Sequence, residues 1–76
     1  LDDDALLPAL EYRLRQRPHD LRLMGEIVAL HERAGRPREA IAFLQRAAGD
    51  APSVAELQML ADLAERAADI ELARRT

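Results

Sequence analysis

The sequence predicts an all-α protein, and three observations carry that expectation. Alanine and leucine supply 28 of the 76 residues while valine and isoleucine supply five, a composition that favours helix over sheet. Helix breakers recur along the chain, at Pro18, at Gly35 with Pro37, and at Gly49 with Pro52, and cut it into segments of roughly twelve to fifteen residues. Between the breakers, apolar residues fall at helical spacing.

Each element has its own start and stop. Asp2, Asp3 and Asp4 precede Ala5, so an aspartate can cap a first helix and the acidic run suits its positive end. With a start at residue 5, Pro8 falls in the opening turn, Leu6, Leu7, Leu10 and Leu14 line one face, and Pro18 forces Arg17 out of the α region. The first helix is therefore expected over about residues 5–17. Asp20 caps a second helix, in which Leu23, Met24, Ile27, Val28, Leu30, His31 and Ala34 cover more than one stripe and predict neighbours on two sides; Gly35 ends it. Pro37 fits the first turn of a third helix that buries Ala40, Ile41, Leu44, Ala47 and Ala48 and stops at Gly49. Ser53-Val54-Ala55-Glu56 is a capping box opening a fourth helix, with Leu57, Leu60, Ala61, Leu63, Ala64 and Ala67 as its expected buried face. A tight turn at Ala67-Ala68 then leads to a fifth helix capped by Asp69.

Composition bounds the function classes. With no cysteine there is no disulfide or thiolate metal site, and a chain of this size has only a marginal core of its own. Apolar stretches of a few residues do not span a membrane or mark a signal peptide. A net charge of −3 argues against general affinity for nucleic acid. The first residue is leucine, and we expect a piece of something longer.

The chain also repeats itself. At an offset of 34, Pro18 matches Pro52, and Leu6, Leu7 and Leu10 match Ala40, Ile41 and Leu44. At an offset of 33, Met24, Ile27, Val28, Gly35 and Ala40 match Leu57, Leu60, Ala61, Ala68 and Ala73. Turn residues and apolar residues thus recur together, small ones where helices must approach and large ones where they must fill space, a pattern of stacked helical hairpins.

On these residues the sequence resembles the tetratricopeptide repeat family. In the central unit, Gly35 matches the glycine between the two helices, Ala40 the small residue early in the second, Leu44 the bulky one, Ala47 the alanine and Pro52 the closing proline. Met24, Val28 and His31 depart from the pattern, and Ala68 replaces the turn glycine of the next unit. The resemblance implies antiparallel hairpins stacked as a right-handed solenoid: the second helix of a preceding repeat over residues 1–18, a complete repeat over 19–52, and a following repeat over 53–76 cut short in its second helix.

It further implies a groove lined by the first helix of each hairpin and a non-enzymatic scaffold that holds another protein or peptide there, between flanking repeats of the same chain. The groove positions are Arg22, Gly25, Ala29, Glu32 and Arg33 in one repeat, and Ala55, Gln58, Asp62, Glu65 and Arg66 in the next. The lysines and asparagines with which one subclass of the family clamps a peptide carboxylate are missing from the sequence. The alanine, leucine and arginine texture, with the segment LADLAERAADIELARR, is similar to the periplasmic arrays of bacterial exopolysaccharide export porins such as the Pel and cellulose systems. That likeness implies recruitment of a polysaccharide-modifying enzyme in biofilm export; a cytoplasmic bacterial adaptor is the alternative.

No residue set asks for catalysis, a cofactor or a metal. His19 lies in a Pro-His-Asp turn, with no second ligand at metal-binding spacing, and is expected in solvent. His31 takes the slot where the family has tyrosine and is expected packed with one hydrogen bond. Ser53 is a cap, Asp62 and Glu65 share a solvated face, and glycines 25, 35 and 49 do not form a phosphate loop. All eleven basic residues are arginine, clustered at Arg13, Arg15, Arg17 and Arg22 and at Arg33, Arg36 and Arg38. Many, Arg46 included, fall near expected helix C-termini, where positive charge complements the helix dipole; an acidic protein partner and then nucleic acid are the further readings.

Overall fold

The computed structural model describes residues 3–75, with side chains from 5 to 74, as four α-helices and no strand among them. They are α1 (Asp3–Gln16), α2 (Leu21–Arg33), α3 (Pro37–Ala48) and α4 (Val54–Arg75). α1 begins two residues earlier than expected, so Pro8 lies inside the helix and not in its opening turn. The side chains of the aspartates expected to cap it lie outside the described residues.

The other boundaries follow local chemistry. Asp20 caps α2, its Oδ1 accepting from the backbone N–H groups of Arg22 and Leu23 at 3.0 and 3.3 Å. α2 ends in a Schellman motif: the N–H of Arg36 donates to the carbonyl of His31 at 2.9 Å and that of Gly35 to Glu32 at 3.0 Å, with Gly35 at φ +75°. Pro37 opens α3, as its fixed φ and missing N–H allow. Gly49 closes α3 at φ 75° and ψ −160°, a region open essentially to glycine alone. At α4 the capping box is complete: Ser53 Oγ accepts from the N–H of Glu56 at 3.1 Å, and Glu56 Oε1 accepts from the N–H of Ser53 at 2.8 Å.

The expected turn at Ala67-Ala68 and the separate fifth helix from Asp69 do not form; α4 runs unbroken for 22 residues. Alanine is the strongest helix former, no glycine or proline stands there, and one aspartate does not stop a helix that its neighbours favour. Past residue 68 the helix is tied to α3 through Arg38, whose Nε and Nη2 donate to Glu71 Oε1 at 3.0 and 2.7 Å.

Extensive packing joins only consecutive helices, α1 with α2, α2 with α3 and α3 with α4. The molecule measures 42 × 33 × 15 Å. Two helix layers with axes about 8–10 Å apart and Cα cylinders of about 2.3 Å radius account for the short dimension. The core is one cluster, Met24, Ile27, Val28, Ala40, Phe43, Leu44 and Leu63, with Leu7, Leu10 and Leu14 of α1 and Met59 and Leu60 of α4 against it. α2 has neighbours on two sides, as its wide apolar surface requires.

α4 is buried on one side only. Glu56, Leu63 and Ala67 are buried and Met59, Leu60 and Ile70 half-buried, whereas Leu57, Ala61 and Ala64, expected in the core, are exposed. Their counterparts one repeat earlier are Met24, Val28 and His31. Met24 and Val28 share the core with Ala40, Phe43 and Leu44 of α3, and the His31 ring lies 6.2 Å from that of Phe43. Among the described residues no helix packs on Leu57, Ala61 and Ala64, because residues 69–75 continue α4 and do not turn back over it. Burial here is decided by the presence of a partner helix.

Candidate functional site

Five of the ten predicted groove residues line one concavity between α2 and α4. Gly25, Ala29 and Glu32 of α2 face Asp62 and Arg66 of α4, with Val28, Leu44 and Met59 completing a hollow of about 220 Å³. Arg22, Arg33, Ala55, Gln58 and Glu65 do not line it. Arg22 turns to Glu26 on its own helix at 3.6 Å and borders another hollow with Arg13 and Arg17, while Gln58 reaches the groove only by donating to Asp62 at 3.1 Å. Arg33 and Glu65 are exposed.

An ion pair spans the groove. Arg66 donates through Nε to Glu32 Oε2 at 2.9 Å and through Nη2 to Glu32 Oε1 at 3.1 Å, a fork matched to a carboxylate. These bonds raise the pKa of Arg66; desolvation by burial opposes them, and the Glu32 and Asp62 charges add to the rise. The groove's cation is therefore already neutralised, and its open chemistry is that of Asp62 and small apolar surface. An anionic ligand would have to displace Glu32.

Gly25 gives the groove its depth. A Cβ built there would lie 3.9 Å from the terminal methyl of Met59, an ordinary contact, so alanine fits without displacement. Because a mid-helix glycine costs roughly 0.5–1 kcal/mol relative to alanine, Gly25→Ala is expected to raise the urea midpoint by that amount of stability while narrowing the groove. A lowered midpoint would show that α2 and α4 are packed more tightly than this geometry allows.

The sequence did not reveal how His19 is used. Its side chain is more than half exposed, as a turn residue's should be, yet its Nδ1 lies 2.8 Å from Oε2 of Glu56, which is only 3% exposed. His19 holds φ +69°, the one non-glycine residue with positive φ among those described. The contact joins the α1–α2 turn to the start of α4, 37 positions along the chain. It holds the Glu56 carboxyl below its ordinary pKa of 4.5, with the Ser53 N–H and hydroxyl helping and burial opposing. SVAE announced one carboxylate oxygen as a cap; nothing local announced a partner for the other. His31 is packed, half-buried beside Phe43, and among the described residues its ring makes a tilted contact with Phe43 and not the expected hydrogen bond.

Among the described residues no group of three or more His, Asp or Glu is placed to hold a metal ion, and no helix is long and apolar enough to cross a membrane. Comparison with protein-family models, curated proteins and solved structures finds no match in any of the three.

Proposed function

We propose that the chain is a protein-interaction scaffold, a portion of a tetratricopeptide-like array whose α2/α4 groove receives a segment of another protein. The observation that carries this reading is the correspondence between two faces one repeat apart: positions 24, 28 and 31 of α2 pack on the next helix, and the equivalent positions 57, 61 and 64 of α4 are apolar and, among the described residues, exposed. Packing that is most extensive between each helix and the next supports the same reading, because each added hairpin then finds a ready face. In the export array that the sequence resembles, the bound protein would be a polysaccharide-modifying enzyme; in a cytoplasmic adaptor it would be a signalling or assembly partner.

Site-specific photo-crosslinking tests the groove. With a photoreactive side chain at Gln58, a single protein adduct is expected in extracts of the source cells, and Asp62→Arg with Ala29→Glu is expected to abolish it. The same group at Ala9, exposed on α1, should give none. An adduct that survives both substitutions, or one formed equally at Ala9, would move the binding surface away from the groove.

A further inference from the structure

A second concavity lies between α1 and α3, lined by neither α2 nor α4. It encloses about 550 Å³ over an apolar floor of Leu14, Pro18, Phe43 and Ala47, with Glu11, Arg15, His19 and Arg46 at its rim. That volume is within the roughly 300–1,000 Å³ typical of binding pockets. Its electrostatics differ from those of the α2/α4 groove. There Arg66 is already held by Glu32, whereas among the described residues neither Arg15 nor Arg46 has an ion-pair partner. The Arg15 guanidinium lies 6.0 Å from the Tyr12 ring centroid, which orients it without neutralising it. Glu11, the one acid on the rim, lies one turn from Arg15 and makes no ion pair with it.

We infer that this pocket binds an acidic, apolar-containing segment of another protein, one that places an aromatic or aliphatic side chain on the Leu14–Phe43 floor and carboxylates against Arg15 and Arg46. Charge complementarity selects this occupant. A carboxylate gains charge-assisted hydrogen bonds from two exposed guanidinium groups without displacing an internal partner, and the floor supplies the apolar contact that charge alone lacks. Net charge of −3 over the whole chain disfavours a polyanion such as nucleic acid, which must approach over a longer distance than a short peptide's carboxylates. The inference rests on the interaction-scaffold reading and adds a second surface to it.

The test uses the 76-residue chain and a fluorescein-labelled peptide of about twelve residues that alternates Asp or Glu with Phe or Leu, followed by anisotropy and by amide chemical shifts. Binding is expected, with shifts at Leu14, Phe43 and Ala47. It should weaken roughly tenfold in Arg15→Glu/Arg46→Glu, whose sites are exposed and bear no internal ion pair, and comparably when the peptide's acids become Gln or its apolar residues Ser. Circular dichroism of the variant should match that of the parent chain. Absence of binding, equal affinity for the Gln peptide, an unchanged affinity in the double variant, or shifts confined to Gly25, Ala29 and Met59 would each overturn the inference. Those results leave the scaffold reading to the crosslink at Gln58, which does not depend on Arg15 or Arg46.

Discussion

Leu63→Ala is expected to destabilise the protein by about 3 kcal/mol, whereas Leu57→Ala, the same change six positions earlier on the same helix, is expected to cost under about 1 kcal/mol. Leu63 is fully buried and, among the described residues, is the one fully buried member of the core cluster that α4 contributes; Leu57 is 52% exposed. Removing a buried leucine loses its transfer free energy and leaves a cavity, while an exposed one loses little of either. At roughly 0.05–0.15 kcal/mol per residue, a chain of 76 residues has only about 4–11 kcal/mol in all. Leu63→Ala should therefore remove about a quarter or more of that stability and shift the urea midpoint sharply downward. Chemical denaturation followed by circular dichroism measures both variants, and equal losses would mean that Leu57 is covered in solution.

Glu56→Gln is expected to lower stability at neutral pH and to flatten its decline in acid. Glu56 is buried, with Ser53 at one carboxylate oxygen and His19 at the other. Its pKa is lowered on folding, first by the His19 contact and then by the Ser53 bonds, so its ionised form is favoured in the folded state. The stabilisation is accordingly complete above the ordinary carboxylate value of 4.5 and is lost as pH falls below it through the depressed folded value. Glutamine retains an acceptor for the Ser53 N–H but carries no charge for His19. Thermal melts from pH 7 to pH 3 should show the parent chain losing its advantage over the variant in the acid range. Parallel curves for the two proteins would remove Glu56 from that role.

How much of this was legible in the sequence depends on how far apart the interacting residues are. Asp20, Gly35, Pro37, Gly49 and the Ser53–Glu56 pair act on backbone groups within a few residues of themselves, and each does in the structure what its type and position predict. The turn at residues 67–68 does not form because neither Ala67 nor Ala68 has the positive-φ freedom that makes Gly35 a helix stop, and Asp69 alone does not start a new helix. Helical spacing placed Leu57, Ala61 and Ala64 on the apolar face of α4, but spacing does not say whether another helix covers that face, and these three are exposed.

The groove was half legible. Helical spacing brings Gly25, Ala29 and Glu32 to one face of α2 and Asp62 and Arg66 to one face of α4, which is why those five meet. Arg22 and Gln58 have long, flexible side chains whose direction is set by the nearest complementary group, Glu26 and Asp62 respectively. The pairing of Arg66 with Glu32 spans 34 positions and alters the groove's charge from available to spent.

By itself the sequence determined that the chain is helical, where three of its four helices begin, and where α2 and α3 stop, because these are contests among backbone hydrogen bonds, caps and φ preferences settled within a turn or two. Tertiary structure alone decided the rest. It made α4 one long helix, left half of its apolar surface bare, gave His19 to Glu56 and gave Arg66 to Glu32. Burial and ion pairing depend on what another part of the chain presents at that place, and an apolar residue is buried only where a second surface arrives to cover it.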